Sequence, residues 1–134
     1  MDHNLLQIPV QNLREGFNNS DIEQIITCFG SSIMMLSGNF SGDPLKWEAH
    51  QFLPSDAIRP WAEMMITHAG PQMITQQEIL HVHERVNGGL VVTRETGKNK
   101  FREWQDELTA YWLGVIDGEW KIMGFFIRDI HNPG

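Results

Sequence analysis

With a single cysteine among 134 residues, the chain cannot form an intramolecular disulfide, so its stability has to come from a packed core. Cys28 has Ile25, Ile26 and Phe29 as neighbours, a setting for a buried structural thiol; a nucleophile needs electropositive surroundings. No apolar run approaches membrane-spanning length, and Met1-Asp2-His3-Asn4 lacks the basic and apolar regions of a secretory signal. Together these point to a cytoplasmic domain. Cations are scarce: 10 Lys and Arg stand against 17 Asp and Glu, a formal charge of −7, with no basic run. Nucleic acid and membrane surfaces are therefore not expected partners, since both require clustered positive charge. The chain also lacks a phosphate-cradling glycine loop, a serine nucleophile elbow, a cysteine pair and a dinucleotide fingerprint. No cofactor is expected.

Large apolar side chains are abundant: five tryptophans and seven methionines are a heavy load for one domain of this length. They either fill a solid core or wall a cavity suited to an apolar or planar ligand. The most informative stretch runs from Trp112 to Ile127, where two apolar segments flank Asp117-Gly118. That pair signals a two-residue hairpin, because the turn needs positive φ at both central residues. Strict alternation beyond the turn places Trp120, Ile122, Gly124 and Phe126 on one face, and Met123, Phe125 and Ile127 on the other. A ribbon that is apolar on both sides must be covered on both, which argues for a curved sheet with a lined interior and an outer partner.

The rest of the chain reads as helices first and strands afterwards, in one domain spanning residues 1–134 with frayed ends near 1–8 and 131–134. Helices are predicted over Val10–Phe17 and Asp21–Phe29, with Ser20 or Asp21 capping the second. A strand over Ser31–Ser37, turn residues Gly38–Pro44 and a strand over Leu45–Phe52 follow. Ser55 caps a helix from Asp56 to Ala69, where Ile58, Trp61, Ala62, Met65 and Ile66 recur at helical spacing. Strands over Glu78–Val86 and Leu90–Thr96 meet across Asn87-Gly88-Gly89. The next strand, Phe101–Ile116, is long enough to need a bend or bulge. A last strand covers Glu119 to about Ile130.

This order, closing on Gly118-Glu119-Trp120-Lys121-Ile122-Met123-Gly124-Phe125-Phe126-Ile127, resembles the nuclear transport factor two-like superfamily, also called ketosteroid-isomerase-like or polyketide-cyclase-like. The resemblance covers about Val10 to Ile130. It implies an α+β cone: a strongly bent antiparallel sheet wrapped around N-terminal helices, with an internal pocket. It also implies a homodimer through the outer sheet face, matching the row Met123, Phe125 and Ile127. Asp43-Pro44 superficially matches the steroid-isomerase base region but lies in a glycine-rich turn. Tyr111, the single tyrosine, is on a strand rather than a helix, so those catalytic roles are not carried over.

Candidate lining residues are Met34, Trp47, Trp61, Met65, Trp104 and Trp112, with His50 at the rim. Asp106 is the leading acid–base candidate. By alternation it shares a face with Trp104, Leu108, Ala110 and Trp112, where desolvation would raise a carboxyl pKa toward neutrality. A bulge would instead turn it out to solvent. Arg94, on a face with Leu90 and Val92, either pairs with Asp106 in the pocket or makes a surface ion pair. His81 and His83 share a strand face roughly 6.5 Å apart. No third ligand follows in pattern and Arg85 opposes a cation, so no metal site is expected, and His81 is a further polar candidate for the cavity. His68 suits the C-terminal end of its helix dipole. Three functions remain open: binding of a small apolar or aromatic molecule, a cofactor-independent isomerase, cyclase or dehydratase using Asp106 with Arg94 or His81, and an association module with a vestigial pocket.

Overall fold

The computed structural model describes residues 4–37, 45, 48–70, 73–100 and 103–127. Helix α1 spans Asn4–Asn18 and α2 spans Ile22–Thr27. In α1, Leu6, Val10, Leu13 and Phe17 recur at intervals of four, three and four, and all are buried. The expected fraying through residue 8 gives way to helix because Leu6 is fully buried, which contributes about 2 kcal/mol. That anchor carries the helix through Pro9, ahead of the predicted start at Val10. Asp21 caps α2 by accepting from the Gln24 amide at 3.2 Å.

Strand β1 covers Phe29–Ser37 and β2 covers Glu48–Pro54. A short 3-10 turn, Ser55–Ala57, leads into α3, Ile58–Ala69, so the helix starts two residues later than expected and without a side-chain cap from Ser55. Strands β3 (Met73–Glu84), β4 (Gly88–Lys98), β5 (Glu103–Ile116) and β6 (Glu119–Ile127) complete the chain. The turn between β3 and β4 sits earlier than Asn87-Gly88-Gly89: Arg85 N–H donates to the Gly88 carbonyl at 2.7 Å, and both glycines are paired in β4. Leu6 packs directly onto Gly89, leaving no room for a side chain there. Asp117 and Gly118 turn the final hairpin with φ of 53° and 79°, as the Asp-Gly pair demands. The predicted turn at residues 38–44 lies outside the described residues, as do Trp47 and residues 128–134.

The six strands form one strongly curled sheet in the order β2-β1-β6-β5-β4-β3. It is mixed rather than wholly antiparallel, because β1 runs parallel to β6. The core lies on the inner face, where Leu6, Val10, Ile25, Ile33, Val91, Leu113 and Ile122 are almost completely enclosed. No described helix is long and apolar enough to cross a membrane.

Among the register irregularities of the sheet, three bear on the residues expected at the site. In β3, Ile79 pairs with Thr93 but His81 pairs with Val92, so Leu80 is extra. In β5, Glu107 pairs with Glu95 but Trp104 pairs with Gly97, so Gln105 and Asp106 together oppose Thr96. In β6, Gly124 pairs with Trp112 but Ile122 pairs with Leu113, so Met123 is extra. Each bulge exchanges the two faces of its strand.

Candidate functional site

The inner face leaves a cavity of about 300 Å³ between α1, α3 and the sheet. That is the lower end of the range for small-molecule sites. Leu13 and Phe17 come from α1, Trp61 and Met65 from α3, and Met35 and Phe125 from neighbouring strands. Helix α1 is held over this space by Asn18, whose amide imitates a strand partner. It donates to the Ile74 carbonyl at 3.0 Å and accepts from the Ile74 amide at 2.8 Å. The pair satisfies the backbone of β3, an edge strand, and fixes the last turn of the helix against the sheet.

A chain of ring contacts supports the apolar wall, with Phe29 backing the lining residues Trp61 and Phe125. Trp61 meets Phe17 edge-on at 6.0 Å between centroids and Phe29 at 5.9 Å. Phe29 reaches Phe125 at 6.5 Å, and Phe125 reaches Tyr111 at 6.1 Å. At Tyr111 the lining becomes polar. Its hydroxyl donates to Glu95 Oε2 at 2.9 Å, and the same oxygen accepts from Thr93 Oγ1 at 2.6 Å and Gln77 Nε2 at 3.0 Å. Glu95 is only 6% exposed, so these donors stand in for the water it lacks. Burial, reinforced by the Glu95 charge and hydrogen bond, holds the Tyr111 phenol well above its ordinary range. Gln77 spends its NH₂ on Glu95 and leaves its own Oε1 buried without a partner. Arg14, Asn99, Glu107 and Thr109 also border the cavity.

No known family model matches the chain, and no curated protein resembles it in sequence. Solved structures do match in shape. A ketosteroid isomerase-like protein from Erwinia carotovora atroseptica SCRI1043 superposes with a TM-score of 0.67 at 15% identity, over 95% of each chain. An NTF2-like protein of unknown function from Shewanella baltica OS155 gives 0.64 at 10% identity, over 92% of this chain and 90% of its own. The fold is nuclear transport factor two-like. A domain of unknown function with a cystatin-like fold from Nostoc punctiforme PCC 73102 is similar as well. Its TM-score is 0.71 at 12% identity, over 95% of this chain and 76% of its own. At such identities the likeness is one of architecture, and function has to be read from the site.

Within the nuclear transport factor two-like cone, three of the sequence-derived lining residues meet at the cavity: Trp61, Met65 and Trp104. Met34 and Trp112 do not. The Trp112 ring lies over Gly124 on the outer face and Met34 pairs with Gly124 in the β1–β6 ladder, while their neighbours Met35 and Tyr111 take the inner positions. Trp47 lies outside the described residues; His50 belongs to β2, and its side chain is not among those described.

The three polar candidates all fall outside the cavity. Asp106 occupies the β5 bulge at φ 52°, exposed, with its amide donating to Thr96 Oγ1 at 3.1 Å. The bulge breaks the alternation that would have put it beside Trp104. Arg94 is on the outer face, in a loose 3.8 Å contact with Glu78 in which both side chains are about half exposed or more. His81 is turned out by the extra residue Leu80 and stacks on exposed His83, ring centroids 6.1 Å apart. Phe125, expected on the dimer face, lines the cavity; Met123 remains outside against Gly30 and Gly114. Glu95, Gln77, Tyr111 and Arg14 are pocket groups that the sequence reading does not reach. The available signal was the alternation Val91, Thr93, Glu95 facing Thr109 and Tyr111, which becomes readable once the β5 bulge is placed at Asp106.

Proposed function

We propose that this domain binds a small, mostly apolar or aromatic molecule in the cone. The supporting observation is a cavity lined by Phe17, Trp61, Phe125, Met35 and Met65 that ends at the buried cluster of Tyr111, Glu95 and Gln77. A solidly packed core would need no such space, and apolar voids of this size readily take up apolar guests. The acid–base alternative loses Asp106, which is solvent-exposed on its bulge, and would have to move to Glu95. Tyr111 and Thr93 already donate to that carboxylate, so neither offers a free donor to a developing oxyanion. Binding is therefore favoured over catalysis.

Self-association is proposed through the outer face, now by way of Met34, Trp112 and Met123, with Phe125 withdrawn to the interior and the Ile127 side chain not among those described. Sedimentation at micromolar concentration should return a dimer mass, and a monomer mass would remove this part. The cavity itself is tested by ethylbenzene binding, followed through tryptophan fluorescence, in the wild type and in Met65→Trp. Saturable binding that the larger side chain abolishes is expected. An equal response in both proteins, or none in the wild type, would overturn the reading.

A further inference from the structure

The polar end of the cavity has a sense: its open positions are acceptors. Glu95 Oε2 is taken up by three donors, from Thr93, Gln77 and Tyr111. The other carboxylate oxygen, Oε1, accepts nothing from the described residues, and Glu95 borders the cavity. Beside it, Gln77 Oε1 is a buried acceptor with no donor, and Gln77 borders the same space. A buried acceptor left unmatched is costly, and the penalty is relieved by any guest that brings a donor. A ligand carbonyl or carboxylate would add a third acceptor to two unmatched ones. A ligand hydroxyl could satisfy one of them. An ammonium group carries several donors and a charge opposite to that of Glu95, and its hydrocarbon part would lie along Phe125 and Trp61.

We infer that the cavity selects small molecules with an apolar or aromatic body and a primary amine, the amine donating to Glu95 Oε1 and Gln77 Oε1. This rests on the cavity being a binding site, as proposed above. Arg14 also borders the space and has no ion pair among the described residues. It carries the opposite preference, so ligands of both signs must be compared.

The experiment is calorimetric titration of the full chain with 2-phenylethylamine, 3-phenylpropionate and ethylbenzene, three probes of similar body. The amine should bind at least about tenfold tighter than either of the others, the difference made by one charge-assisted hydrogen bond. In Glu95→Gln the amide oxygen can keep the three internal donors, which puts its NH₂ where Oε1 was and turns an acceptor into a donor. Amine affinity should fall about tenfold while ethylbenzene binding stays the same. Gln77→Met removes the second acceptor without touching the carboxylate and should weaken the amine a few-fold. It also decides the matter if Glu95→Gln does not fold by circular dichroism. Equal or tighter binding of 3-phenylpropionate or ethylbenzene in the wild type, or unchanged amine affinity in either folded variant, overturns the amine assignment while leaving the cavity reading intact. No binding of any probe overturns both.

Discussion

Tyr111→Phe isolates the polar cluster, because it keeps the ring against Phe125 and deletes one donor to Glu95. A hydrogen bond to a charged group is worth about 1.5–3 kcal/mol, and here Glu95 keeps Thr93 and Gln77. At about 2.1 cal/mol/K per residue, 134 residues give an unfolding entropy near 0.28 kcal/mol/K, so the melting temperature should drop by about 5–10 °C. A second arm uses pH. Tyr111 is the single tyrosine, so tyrosinate absorbance reports on it without ambiguity. Its folded pKa is raised, mainly by burial and then by the Glu95 charge. Above about pH 10 the unfolded chain releases a proton that the folded protein retains, so this contribution is complete below that pH and is lost as pH rises. Each such group adds a slope of about 1.4 kcal/mol per pH unit, and Tyr111→Phe should remove one group's share. Urea denaturation followed by tryptophan fluorescence measures the slope. Ionisation of Tyr111 near pH 10 in the folded protein, or a variant melting within 2 °C of wild type (about 0.6 kcal/mol on that entropy), would refute the placement of Tyr111 on the inner face.

Other substitutions probe the faces and bulges. A methyl at Gly124 would come within 2.5 Å of the Met34 carbonyl oxygen and 2.7 Å of the Trp112 ring, so Gly124→Ala should cost about 2–3 kcal/mol in urea midpoints. Gly118→Ala meets nothing within 4 Å and strains only φ, so about 1 kcal/mol is expected. Asp106→Asn should leave stability and probe binding within about 0.5 kcal/mol of wild type, whereas Asp106→Val, β-branched at positive φ, should lose about 1–2 kcal/mol by the same assay. Cys28 donates its thiol hydrogen to the Gln24 carbonyl at 3.1 Å, and burial, partly offset by Lys121, pushes its pKa up to about 12. A disulfide reagent at mildly alkaline pH should therefore label Cys28 only as fast as the protein unfolds. The stability from the raised thiol is complete below the ordinary thiol range and is lost as pH rises toward about 12. Rapid labelling of the folded chain would show that the thiol is not enclosed.

Architecture was legible because it rests on signals spread over many residues. The Val10–Phe17 helix, the Asp21 cap and the Asp117-Gly118 turn each point to one local structure, and together they give helices followed by a meander, whereas Leu6 at the start of α1 lies in the stretch expected to be frayed. The site was not legible, because it depends on parity. Both faces of β4, β5 and β6 carry large apolar residues, so hydrophobicity does not say which row is inside. One extra residue in β5 then exchanges Asp106, Leu108 and Trp112 for Glu107, Thr109 and Tyr111. The need for a bulge in that strand follows from its length; its position does not. Met123 has the same effect on Phe125, and Leu80 on His81. The Glu95 cluster was hidden for a further reason: its partners come from β3, β4 and β5, so no local motif contains them.

Methyl-resolved NMR of the protein with bound 2-phenylethylamine addresses the occupied hollow most directly. Contacts from the aromatic ring to the Met35, Met65 and Thr109 methyls are expected, since all three border the cavity. Contacts to Met34 and Leu108 on the opposite side of the sheet, or no contacts to any of these methyls, would contradict it.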